Sequence, residues 1–168
     1  KKLREKNFSK NFQIDFQSIL KLLRKKKSKK RIIGGYYPYN YEINVIPIME
    51  KFERLKHIIS LPKISQNSNM NFFIWSTNEP LNINKYGIPE PINNEIIYPD
   101  VLLVPLVAYD KNFNRVGYGG GFYDRYLKRI KKIKNVLTIG LAFSYQKVKK
   151  IPIEKNDIKL DFIVTEKN

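Results

Sequence analysis

Between Arg115 and Arg125 the chain reads Arg-Val-Gly-Tyr-Gly-Gly-Gly-Phe-Tyr-Asp-Arg, and four of its 8 glycines fall between Gly117 and Gly121. Glycine takes positive φ without steric cost and carries no Cβ, so a ligand can approach the backbone itself. The run follows an apolar strand pattern beginning at Val101 and precedes helical periodicity from about Tyr123. Strand, glycine loop and helix N-terminus present converging N–H groups and the positive end of a helix dipole, which suits phosphate. Arg115 and Arg125 bracket the loop, and cations beside backbone donors are what a triphosphate requires. Asp124 stands at the helix start, where a carboxylate can cap the helix, hold Mg²⁺ against bound phosphates, or do both. The spacing is not a Walker A motif, which needs Lys-Ser/Thr after its second glycine. Nor is it the dinucleotide fingerprint, because Phe122 stands where the third glycine belongs. A plain tight turn is the competing reading of the glycines.

A second cluster, Tyr36, Tyr37, Tyr39, Tyr41 and Glu42, lies at the end of an early strand pattern. It reads either as a packed strand edge or as a pocket for a flat heterocycle. In the second case ring faces stack and a carboxylate accepts from ring N–H groups. Trp75 and the lone His57 read as core residues. One histidine and no cysteine disfavour histidine triads, zinc sites and thiol chemistry.

The elements that must position these residues follow from apolar periodicity. Phe12, Phe16, Ile19, Leu20 and Leu23 predict a helix from Asn11 to Lys26. Strands are expected over 31–38, 57–62, 71–77, 101–109, 136–143 and 162–165, with a helix over 45–54 led by Asn44 and another over 123–133. The segment 78–99, with prolines at 80, 89, 91 and 99, reads as loop. Strands alternating with helices predict an α/β fold: one three-layer α/β/α domain spanning 1–168, with a central, largely parallel sheet and ligands at the carboxyl ends of its strands.

With 168 residues and 42% hydrophobic content the chain can bury one core, and no apolar run reaches the roughly 20 residues of a membrane span. A cytoplasmic enzyme or binding protein, with no membrane partner, is expected. The net charge of +17 would attract polyanions, and a basic RNA-binding module is the rival reading. Only seven of the 32 basic residues are Arg, the residue suited to bidentate recognition, and no aromatics interleave the cationic run 24–31. Compositional bias is the preferred account of the charge, and nucleic acid is not an expected partner. A nucleotide-binding protein without turnover is the second rival.

The glycine segment, after a strand ending Val-Pro-Leu-Val-Ala-Tyr-Asp110, resembles the signature of the 5-formyltetrahydrofolate cyclo-ligase (5,10-methenyltetrahydrofolate synthetase) family. Lys1, Lys2, Leu3 and Arg4 resemble its Lys-x-x-Leu-Arg opening, whose first lysine would lie ahead of Lys1. Tyr86-Gly-Ile-Pro-Glu-Pro91 resembles its Gly-Ile-x-Glu-Pro element, and 156–161 its C-terminal acidic motif. The resemblance implies ATP- and Mg²⁺-dependent closure of 5-formyltetrahydrofolate to 5,10-methenyltetrahydrofolate. A monomer is expected, with polyglutamylated folate as an alternative form of the substrate. The resemblance also implies ATP contacts from Lys1 to Arg4 and from Arg115, Val116, Gly117, Tyr118, Gly119, Gly120, Gly121, Phe122 and Tyr123. Tyr118 to Phe122 would also lie against the folate, with Tyr37 packing on the pterin and Glu42 accepting from it. Arg115, Tyr118, Gly119 and Asp124 would carry the chemistry. Asp124 and Asp157 would hold Mg²⁺, with Asp161 as an acid behind them.

Overall fold

The computed structural model describes residues 5–6, 13–23, 30–65 and 69–167. Its sheet runs in the order β11-β10-β7-β1-β2-β3-β6. The strands are β1 (Ile32–Gly34), β2 (Ile58–Ile64), β3 (Met70–Ile74), β6 (Ile96–Ile97), β7 (Val101–Pro105), β10 (Leu137–Leu141) and β11 (Phe162–Val164). The five strands from β11 to β2 are mutually parallel, while β3 and β6 add an antiparallel edge. The expected α/β/α layering is present. Val101 and Leu103 of β7 face one core with α1 (Phe16–Leu23) and α2 (Ile46–Arg54). Leu102 and Val104 face the other, with α3 (Phe122–Ile130). A strand covered on both faces has no polar side to show, which is why its sequence is continuously apolar.

The amino ends of the parallel strands are latched by carboxylates. Asp100 accepts the Ile32 N–H at 2.8 Å and pairs with Lys134 at 2.6 Å. Asp161 accepts both the Thr138 N–H and hydroxyl, at 2.8 and 2.7 Å, joining β11 to β10. The carboxyl ends are left to the loops that carry chemistry.

Three expected elements are corrected. The first helix starts at Phe16 rather than Asn11, because the Asp15 carboxylate caps it, accepting from Gln17 and Ser18 N–H at 3.1 Å each. Residues 11–12 and 24–26 of that expected helix, Phe12 included, lie outside the described residues. The strand expected over 101–109 breaks after Pro105. There the Gln146 side-chain amide donates to Leu106 and Val107 carbonyls, at 2.9 Å each. Ala108–Tyr109 (β8) then pairs with Arg115–Val116 (β9) in a separate hairpin. The segment 78–99 is not all loop: it holds β6 and a ribbon of β4 (Leu81–Ile83) with β5 (Pro89–Pro91). A two-stranded ribbon tolerates proline because neither strand needs every N–H.

Candidate active site

Beyond the carboxyl ends of β1, β2 and β7 lies a cleft of about 1080 Å³. One wall is the glycine loop. Asp110, 2% exposed, shapes its hairpin by accepting from the Asn112 N–H and from the Asn114 N–H and side chain. Its other oxygen takes the Ile151 N–H at 3.3 Å, tying the hairpin to the segment that carries Asp157. Burial works to raise the Asp110 pKa, but these donors outweigh it and hold the carboxyl below its ordinary value.

Within the loop Gly119 and Gly121 take φ of 91° and 61°, and a Cβ on Gly117 or Gly119 would meet nothing within 4 Å. The N-terminus of α3 has no side-chain cap, so its first N–H groups remain for a ligand. Asp124 lies in the first turn and is not the cap. One of its oxygens, Oδ1, accepts from Arg115 at 3.0 Å and from the Ile158 N–H at 3.1 Å. Arg115, its side chain 5% exposed, also donates to the Ile158 carbonyl at 2.6 Å. Arg125 turns back on the loop, donating to the Gly120 carbonyl at 2.9 Å and lying over the Phe122 ring.

The opposite wall begins where β1 ends. Tyr36 is core, its hydroxyl donating to the Ile43 carbonyl at 3.0 Å. Tyr37 is half-buried and lines the cleft, and Tyr41 does not line it. Asn40 and Tyr41 adopt left-handed φ of 48° and 61°. Glu42, 8% exposed, braces this turn by accepting the Tyr39 N–H at 3.0 Å. The two walls meet through Tyr118, which packs beside Tyr39 at 6.4 Å and donates to its carbonyl at 3.4 Å. The Tyr123 hydroxyl is sealed without a hydrogen-bond partner among the described residues. Burial, then the nearby Glu42 charge, pushes its pKa far up, so it is a neutral phenol.

The sequence-derived site residues from Arg115 to Asp124 thus converge with Tyr37, Glu42 and Asp157 on one cleft. Asp161 does not line it and serves as the strand latch described above. Lys1 to Arg4 lie outside the described residues. Trp75 is a core residue, as expected, its indole donating to the Glu79 carbonyl, whereas His57 is only half-buried, its imidazole Nδ1 accepting the Arg31 N–H. Sequence reasoning missed Glu90, Asn84, Ile64 and Met70, which also line the cleft. The only local signal was the Tyr86–Pro91 motif, which assigned no role to Glu90.

Among the described residues no three acids cluster as a metal cage. Asp124 Oδ2 makes no hydrogen bond among the described residues, whereas Asp157 Oδ2 accepts the Glu154 N–H at 2.9 Å and leaves Oδ1 open. Two open carboxylate oxygens beside a phosphate cradle fit Mg²⁺, which keeps waters and phosphate oxygens as its other ligands.

Fold and site define an α/β protein with a large cleft at the carboxyl ends of its parallel strands, one wall built from backbone. The chain matches the 5-formyltetrahydrofolate cyclo-ligase family over residues 3–166. It belongs to that family, and by that membership it is an enzyme, a ligase. It is 32% identical over 151 residues to the Haemophilus influenzae 5-formyltetrahydrofolate cyclo-ligase, covering 86% of this chain and 79% of the relative. It is 34% identical over 140 residues to the Escherichia coli protein of that name, covering 79% and 76%. The Aquifex aeolicus 5,10-methenyltetrahydrofolate synthetase structure superposes with a TM-score of 0.74 at 33% identity, over 91% of this chain and 76% of the other.

Proposed function

We propose that this chain closes 5-formyltetrahydrofolate to 5,10-methenyltetrahydrofolate at the expense of ATP, in the cleft between the glycine loop and the Tyr37–Glu42 wall. The observation that carries the reading is the cleft itself. Its volume of about 1080 Å³ stands at the upper end of the roughly 300–1,000 Å³ of ligand pockets, and it joins a glycine-rich loop flanked by Arg115 and Asp124 to a wall that carries Tyr37 and Glu42.

The formyl group is an unreactive amide because its nitrogen lone pair is delocalised. Transfer of the γ-phosphoryl group to the formyl oxygen, with departure of ADP, makes that oxygen a leaving group. The neighbouring folate amine then attacks the formyl carbon and loses its proton. The C–O bond breaks, and phosphate departs. The protein contributes position and charge. The open amides of the loop and of the α3 N-terminus receive the phosphates, with Tyr118, Phe122 and Tyr123 forming the floor between nucleotide and folate. Arg115 reaches the phosphate end already oriented by Ile158. Tyr37 packs against the pterin and Glu42 accepts from it. Asp124 and Asp157 would hold Mg²⁺, which neutralises charge on the transferring phosphoryl group. Lys1 to Arg4 complete the nucleotide site on this reading, and polyglutamylated substrate is accepted as well. Absorbance at the edge of the visible should rise when ATP, Mg²⁺ and 5-formyltetrahydrofolate are mixed with the protein. A folded sample that gives no rise overturns the reading.

A further inference from the structure

Glu90 is a carboxylate 92% withdrawn from solvent, at 8% exposure, on the cleft wall formed by the β4–β5 ribbon. Its Oε1 is fully committed, accepting the Ile64 N–H at 2.9 Å and the Asn84 side-chain amide at 2.7 Å. Oε2 takes no hydrogen bond among the described residues, and it is not one of the sealed, unpartnered polar atoms of the interior. No cation pairs with Glu90 among the described residues. A largely buried carboxylate with neither counter-ion nor full hydrogen bonding is costly, and the cost is recovered when a ligand supplies the donor. Ile64 and Asn84 fix the orientation beforehand, so a ligand need not order this side chain.

We propose that Glu90 Oε2 is a second carboxylate acceptor for the N–H groups of the reduced pterin, and so a specificity-determining residue for the folate. This rests on the cyclo-ligase reading above and adds to it a residue on the β4–β5 wall of the cleft. The chemistry selects the pterin over the other ligand. Phosphates are repelled by a carboxylate, and adenine carries its N–H donors on a single amino group, flanked by ring acceptors. A tetrahydropterin offers an amino group, a ring amide N–H and a ring amine N–H. Glu42 already spends one oxygen on the Tyr39 turn, so a single carboxylate leaves part of that donor edge unmatched.

Glu90→Gln isolates the claim, because the amide oxygen can keep the Ile64 and Asn84 bonds while Oε2 becomes a donor. Affinity for 5-formyltetrahydrofolate and for ATP is measured by calorimetry on wild type and variant, with thermal unfolding alongside. The expected result is a tenfold or greater loss of folate affinity, with ATP affinity unchanged and a melting temperature equal to or above that of wild type. Folate affinity within twofold of wild type overturns the proposal, as does a parallel loss for ATP or a lowered melting temperature, either of which marks a structural role. If wild type itself binds no folate, the cyclo-ligase reading has failed and the proposal falls with it.

Discussion

On the proposed reading Asp124 serves both the fold and a cation. Its Oδ1 is held by Arg115 and the Ile158 N–H, which fixes the carboxylate plane and leaves Oδ2 for a cation. Asp124→Asn keeps an acceptor for the structural bonds but removes the charge. Turnover should fall by about two orders of magnitude, in the range of losing one electrostatic stabiliser, with a raised Mg²⁺ requirement and a smaller loss of stability from weakening the Arg115 pair. Wild-type activity would remove Asp124 from the metal site. Tyr126 behaves oppositely: its hydroxyl is sealed with no hydrogen-bond partner among the described residues. Tyr126→Phe should therefore be neutral or stabilising by about 1 kcal/mol in chemical denaturation, since an unsatisfied buried polar group is lost. A marked loss would mean that the hydroxyl has a partner.

At the scale of elements, the β8–β9 hairpin and the loop that follows it depend on Asp110. Asp110→Asn turns one acceptor oxygen into a donor facing the Ile151 N–H, and it should cost about 2 kcal/mol of stability in urea unfolding. The loop itself is tested by Gly120→Val. A Cβ there would stand 2.6 Å from the Phe122 ring, and that half-buried ring can yield only by moving within the cleft. ATP affinity should drop by tenfold or more with little change in stability, and unchanged affinity would clear the loop of phosphate binding. This loop was legible in the sequence because its residues are contiguous and unusual. Glu90 was not, since Ile64 is brought to it by the packing of β2 against the ribbon and Asn84 by the turn between β4 and β5. The break in the β7 pattern was equally hidden: the amide that ends it belongs to Gln146, 40 residues beyond Leu106. Apolar continuity reveals that a segment is buried, not where a distant side chain bends it.

For the whole molecule, the alternation of strands with helices and the continuous apolar strand from Val101 were enough to anticipate the layered sheet. Its antiparallel edge was not, because short strands among prolines carry little periodicity. His57 is the chain's single histidine and joins the ends of β1 and α2 as a neutral acceptor. Burial, then the Arg31 charge, lowers its pKa from the ordinary 6.5. The unfolded chain therefore takes up this proton at higher pH than the folded one. The resulting stability is present above about pH 6.5 and is lost as pH falls through the lower folded value. Melting temperature should decline between pH 7 and 5, and His57→Asn, which retains an acceptor, should flatten that slope. A slope left unchanged would assign it to other groups.

The central claim is that the cleft activates a formyl oxygen by phosphorylation, and the fate of that oxygen tests it most directly. With 5-formyltetrahydrofolate labelled with oxygen-18 in the formyl group, turnover in unlabelled water should deliver the label to inorganic phosphate, detected by mass spectrometry. Label released as water, with unlabelled phosphate, would show that ATP is hydrolysed beside the cyclisation rather than through it.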